Sequence, residues 1–220
     1  MTSEDKKRWI KSIVIACTIF LLLSLYLFIR RGYYDLYIIN KVFGSSAVIL
    51  AGITLLIGPL RQFSFGVSLM TIRRHLGLLA FGFAIVHILA SLYQSNRFIW
   101  FSWYLNEWIP VSAGFFAIAL LAYMTYISRN KKIQELGPDV WKNRLSIAGK
   151  LSFLAIFLHL TIMKYQGWIR WFNGEVKQSQ ELANPTYPPA SLFVFFLMLT
   201  VIIFRIVHWF THKGKVKSNP

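Results

Sequence analysis

The chain has 220 residues, 56% of them hydrophobic and 17% aromatic, and only 15% are charged, where a soluble domain carries roughly 25%. This is the composition of an integral membrane protein, with no room for a soluble catalytic domain. The net charge of +16 does not point to nucleic acid, because the basic residues lie between apolar runs instead of on one face.

Charge-free runs mark six spans in chain order. Between Lys11 and Arg30 lie 18 uncharged residues, between Lys41 and Arg61 19, between Arg74 and Arg97 22, and between Glu107 and Arg129 21. A fifth span begins at Leu145 and ends near Lys164, with Lys150 snorkelling from one end. The sixth runs from Pro188 to about Trp209 and carries Arg205 near its end. Each is close to the ~20 residues a helix needs to cross a bilayer. A backbone in lipid must satisfy its own polar groups, so the predicted fold is an all-α bundle of six transmembrane helices forming a single domain over 1–220. The first run is longer than a signal-peptide core and is followed by no A-x-A site, so it reads as a retained span. The one cysteine, Cys17, lies inside that run, which rules out an intrachain disulfide and cysteine metal clusters.

Six spans bring both termini to one side. That side carries 17 of the 24 basic residues, so the positive-inside rule predicts cytoplasmic termini. Loops at about 30–41, 97–107 and 164–187 then face outward. Two of these are aromatic, Phe98 to Tyr104 and Trp168 to Phe172, and read as an interfacial belt or as a docking surface for a partner.

Within this apolar chain, His87 and His159 stand near the middle of the third and fifth spans. Ionisable groups at such depth are costly and mark function by default. His87 lies 13 residues beyond Arg74 and His159 14 beyond Leu145, about 20 and 21 Å along helices that run the same way. Two imidazoles at one level can ligate a haem iron from both sides, a site that passes electrons and leaves no coordination position open. The small residues Ala84, Ala90, Ser91, Ala155 and, on the second span, Gly44 to Ala47 would leave room for a porphyrin, though they suit plain helix packing equally. The competing reading makes each histidine a hydrogen-bonded packing residue in a cofactor-free transport or structural protein. A zinc site would need further ligands, and no carboxylate or cysteine lies near.

Three stretches carry a family resemblance. Gly44-Ser45-Ser46-Ala47-Val48 followed by Leu56-Ile57-Gly58-Pro59-Leu60-Arg61, Arg73-Arg74-His75-Leu76-Gly77-Leu78 running into Val86-His87-Ile88, and Trp141-Lys142-Asn143-Arg144-Leu145-Ser146 running into Phe157-Leu158-His159 resemble the second, third and fifth spans of the ferric-reductase-like transmembrane domain family. The resemblance covers about residues 39–165. It implies b-type haem on His87 and His159 in a bacterial inner membrane. It implies an inner-side donor, either a quinol or FMN served by a cytosolic flavin reductase. As acceptor it implies a soluble periplasmic molybdenum-cofactor reductase such as a methionine sulfoxide reductase; a stand-alone ferric or metal reductase is the alternative within the same fold. Where the family often has a further histidine, this chain has Ser146. His75, at the inner end of the third span, is then a candidate for a second haem with His208, the only other histidine at that level. Arg61, Arg73 and Arg74, on the inner rim, are candidates to hold a flavin phosphate.

Overall fold

The computed structural model describes residues 2–60, 64–98 and 105–216. Its helices are α1 (Ser3–Arg31), α2 (Leu36–Leu60), α3 (Ser64–Met70), α4 (Arg73–Phe98), α5 (Trp108–Ile127), α6 (Asn130–Leu136), α7 (Pro138–Phe172) and α8 (Ala190–Val216). Six of these, α1, α2, α4, α5, α7 and α8, are long and apolar enough to cross a membrane, as expected. Short α3 and α6 lie in connections at the end of the bundle that holds both chain termini, here called the terminal end.

Local chemistry sets the boundaries. Thr2 caps α1, its hydroxyl accepting the Asp5 N–H at 3.2 Å, and Glu4 and Asp5 in the first turn suit the positive end of the helix dipole. Gly32 closes the helix in the left-handed conformation, φ 81°, and its N–H donates to Phe28 O at 2.8 Å. At the start of α2, Asp35 Oδ1 accepts the Ile38 N–H at 3.0 Å. Pro138 opens α7 at a position where its missing N–H costs nothing.

Packing is organised around α2. One apolar cluster joins Ala16 of α1, Leu50 and Ile57 of α2 and Leu76 and Ala80 of α4. A second joins Leu55 of α2, Phe153 of α7 and Val194, Met198 and Val201 of α8. A third joins Leu27, Ile38, Val42 and Ala190 at the opposite end of the bundle. The closest helix pairs are α2 with α4 and α5 with α7. The two histidine-bearing helices, α4 and α7, thus lean on their own partners and have at most marginal contact with each other. Leu21, Leu22, Leu25, Leu89, Phe115, Phe116 and Ile203 are exposed, as lipid-facing side chains on a bundle's outer surface are.

At the far end, the segment before α8 is laced to the last turn of α1. Asn184 Nδ2 donates to Ile29 O at 2.7 Å, and the N–H groups of Asn184 and Ala183 donate to Arg30 O and Arg31 O. Arg30, buried, returns a bond from Nε to Tyr187 O at 2.9 Å, and Tyr26 donates to Pro188 O at 2.6 Å. These bonds satisfy carbonyls that a helix C-terminus otherwise leaves without partners.

The fifth span differs from expectation at both ends. Its helix starts at Pro138, not Leu145, and runs to Phe172, so the loop expected from residue 164 begins at Asn173. Trp168 is not an interfacial residue of a loop but is 6% exposed, its indole 4.8 Å from the ring of Phe195 and donating to Ser191 Oγ at 2.9 Å. Apolar packing against α8 extends the helix past the charge of Lys164. Of the other aromatic stretch, Phe98 ends α4 and residues 99–104 fall outside the described residues, as does Arg61.

A Cβ at Gly32 would stand 2.9 Å from the Ala183 Cβ, in a backbone conformation that L side chains rarely adopt. Gly32→Ala is therefore expected to cost about 1–3 kcal/mol, seen as a lower thermal midpoint of the detergent-solubilised protein.

Candidate functional site: two anchored imidazoles

His87 and His159 occupy equivalent positions in the two close helix pairs. On the α2–α4 pair, His87 Nδ1 lies 2.6 Å from Asn40 Oδ1 and 3.1 Å from Asn40 O. On the α5–α7 pair, His159 Nδ1 lies 2.7 Å from Pro110 O. In each pair a glycine stands four residues after the accepting residue. A Cβ at Gly44 would come within 2.9 Å of His87 Nδ1, and one at Gly114 within 3.1 Å of His159 Nδ1. The bare glycine lets the imidazole press against its partner helix and reach a backbone carbonyl there.

The hydrogen-bond network settles which nitrogen carries the proton. A backbone carbonyl only accepts, so Nδ1 of each ring must be N–H. For His87 the side-chain contact agrees. Ser91 Oγ donates to His87 O at 2.8 Å and therefore accepts from Asn40 Nδ2 at 2.9 Å. Asn40 Nδ2 also reaches Gln94 Oε1 at 3.3 Å. With its amide nitrogen committed in this way, Asn40 turns its oxygen to the imidazole. Both histidines therefore hold the tautomer with the lone pair on Nε2, the arrangement in which an outer partner orients a metal-ligating ring.

The two rings share one level. Asn40 is in the second turn of α2 and Pro110 in the first turn of α5, both in the half of the bundle remote from the termini. His87 also lies within electrostatic reach of His159, although their helices scarcely touch. Among the described residues no third histidine, cysteine, aspartate or glutamate joins them to form a metal-binding group. Two imidazoles make a poor cage for a bare ion but supply the two axial ligands of an iron whose other four positions belong to a macrocycle.

One lysine stands beside the pair, and a second lies near the first. Lys164 of α7 is within electrostatic reach of both histidines and of Lys41 on α2. Each lysine is partly buried, and neither belongs to an ion pair among the described residues. Lys41 Nζ instead sits 3.8 Å above the Tyr37 ring, which Arg31 also approaches at 5.8 Å. Two imidazoles on neighbouring helix pairs, with Lys164 in reach of both, are a donor set that would fit the iron of haem b.

Arg73 and Arg74, at the terminal end, do not converge on one point. Arg73 Nε donates to Thr54 O at 2.9 Å, and Arg205 Nη1 reaches Leu55 O at 3.5 Å. Pro59 has no N–H to offer the carbonyl four residues back, at Leu55. Arg205 therefore serves a backbone group freed by the proline, and Arg73 serves its neighbour. Arg74 instead donates from Nη1 to Asn130 Oδ1 at 3.0 Å.

His75 and His208 are not brought together. His75 faces α1, with Nε2 3.2 Å from Asp5 Oδ1 and its ring edge-on to Trp9 at 4.8 Å. His208 lies on α8, which packs on α2 and not on α4. Sequence reasoning missed Asn40, Pro110 and the lysine pair. The spacing Asn40–Gly44 and Pro110–Gly114 was the readable signal for the first two.

Fold and site together define a six-helix membrane protein with a pair of half-buried, tautomer-fixed imidazoles. No protein-family model and no curated protein sequence matches the chain.

The tautomer is a prediction testable without any cofactor. Nitrogen-15 spectra of histidine-labelled protein are expected to show His87 and His159 protonated at Nδ1 only; an Nε2–H form at either residue would contradict the anchoring.

Proposed function

We propose that the chain is a membrane haem b electron-transfer subunit of the ferric-reductase-like kind. In this reading both termini are cytoplasmic and the protein sits in a bacterial inner membrane. Electrons enter from a quinol or flavin at the terminal end and leave outward to a periplasmic oxidoreductase. Within that class the chain is most like MsrQ (also called YedZ), whose partner is a periplasmic molybdenum-cofactor methionine sulfoxide reductase. The observation that carries the reading is the pair of level imidazoles, each anchored through Nδ1 and each presenting a free Nε2. When bound, the haem supplies one-electron chemistry at an iron with no open position.

The chain's own residues do the rest. Asn40 and Pro110 orient the two rings. Gly44 and Gly114 let the helices approach closely enough for them to do so. Lys164, within electrostatic reach of both histidines, is a basic side chain beside the site. The apolar clusters of α2 tie one ligand helix, α4, to α1, and α2 itself to α7 and α8. The many basic residues at the terminal end support the assigned sidedness.

Detergent-purified protein, expressed with haem supplied, is expected to give a sharp low-spin b-type α band in the dithionite-reduced minus oxidised spectrum. His87→Leu and His159→Leu are each expected to abolish it. A folded but colourless native protein would sink the haem reading, and pigment surviving both changes would sink the ligand assignment.

Removing a group that orients a metal-bound histidine typically costs 10–100-fold in affinity. Asn40→Leu is therefore expected to weaken haem retention about 10–100-fold, measured by haem transfer to apomyoglobin. Retention equal to the native protein's would show that the Asn40 bonds do not hold the ligand.

A further inference from the structure

The two imidazoles are anchored to oxygens of different kinds. His159 Nδ1–H donates to the Pro110 carbonyl at 2.7 Å. That carbonyl belongs to the ladder of α5 and also accepts the N–H four residues ahead. His87 Nδ1–H approaches the Asn40 carbonyl in the same way, at 3.1 Å, but has Asn40 Oδ1 as well, at 2.6 Å. A side-chain oxygen lies outside the backbone ladder, so Asn40 Oδ1 is not divided with a helix N–H.

Asn40 is itself held by two partners. Its Nδ2 donates to Ser91 Oγ at 2.9 Å and to Gln94 Oε1 at 3.3 Å, one acceptor for each amide hydrogen. Ser91 Oγ donates in turn to His87 O at 2.8 Å, the bond to the preceding turn that a helical serine can make. These bonds close a ring that begins and ends at His87, running from the imidazole to Asn40, from Asn40 to Ser91, and from Ser91 to the His87 carbonyl. Asn40 is 7% exposed, so water competes little for them. Gln94 stands 7 residues past His87 on α4, which returns it to nearly the same helix face. Its Nε2 is buried with no partner among the described residues, so its side chain serves the site through the bond to Asn40. Each donation from an amide nitrogen polarises the amide and makes its oxygen a better acceptor. Asn40 makes two such donations. The peptide that carries Pro110 O has one N–H to give, that of Val111, and it goes to Glu107 O.

From this arrangement we infer that Ser91 and Gln94 are positioning residues for His87, acting through Asn40, and that they make the two imidazoles unequal, with His87 the more strongly hydrogen-bonded and the more basic at Nε2. A stronger acceptor at one ring nitrogen raises the basicity of the other. The inequality stands on the hydrogen bonds alone, and its consequence for redox rests on the electron-transfer reading. On an iron, a more basic ligand favours the ferric state, so the bonds through Ser91 and Gln94 hold the midpoint potential down.

The test follows the Nδ1 protons by NMR in histidine-labelled, full-length protein in detergent. Dithionite keeps any iron bearing both imidazoles ferrous and diamagnetic. In the native protein the His87 Nδ1 proton is expected downfield of that of His159. Ser91→Ala and Gln94→Leu are each expected to move it upfield, toward the His159 position, while the His159 proton stays. Ser91→Thr keeps the hydroxyl and is expected to keep the native shift. The comparison of the two protons in the native protein needs no variant, so a folding defect in any of them leaves the proposal open to refutation. Both protons at one position in the native protein overturn it. So does a His87 proton that ignores both substitutions or moves together with that of His159. With haem bound, Ser91→Ala and Gln94→Leu are expected to raise the midpoint potential without changing the low-spin spectrum, and an unchanged potential in both overturns the proposal. A colourless native protein that still shows the unequal, Ser91-dependent protons would keep the inequality and refute the electron-transfer reading.

Discussion

An imidazole inside a membrane needs a partner for its N–H, and a helical backbone has almost none to spare. Every interior carbonyl already accepts from the N–H four residues ahead. The site resolves this by letting each imidazole share a carbonyl with its helix partner, and sharing requires close approach. Gly44 and Gly114 are the residues four ahead of the shared carbonyls, and a side chain at either would collide with the ring. The anchoring, the tautomer and the level of both histidines follow from that one constraint.

The rest of the bundle serves it. The helix α2 contributes to all three apolar clusters and also supplies Asn40 and Gly44. At its terminal end Pro59 frees the Leu55 carbonyl, which Arg205 from α8 meets. Its opposite end packs against α1 and the start of α8. The second pair, α5 with α7, repeats the histidine–carbonyl–glycine arrangement with different residues. Because α4 and α7 barely meet, the two rings belong to different helix pairs, each anchored within its own.

Much of this was legible in the residues. Charge-free runs located four of the six spans, apolar runs interrupted by Lys150 and Arg205 located the other two, and two imidazoles at matched distance along the third and fifth marked the candidate site. The errors have physical causes. Lys150 and Lys164 looked like span ends, yet long lysine stems let a helix continue past them, and α7 runs on to Phe172. Arg73 looked free to bind phosphate because nothing local shows that its guanidinium turns inward to Thr54 O. Asn40 escaped notice because its role depends on how α2 and α4 are registered, which no single span records. His75 looked like a half-pair for His208, whereas the fold turns it toward Asp5 on the first helix.

The central claim is that His87 and His159 close both axial positions of one iron. Carbon monoxide binds ferrous haem only where a position is open or easily freed. Exposing the dithionite-reduced native protein to carbon monoxide is predicted to leave its absorption spectrum unchanged. A carbon monoxide-shifted Soret band at full haem occupancy would contradict the account, because it would show that at least one of the two anchored imidazoles is not on the iron.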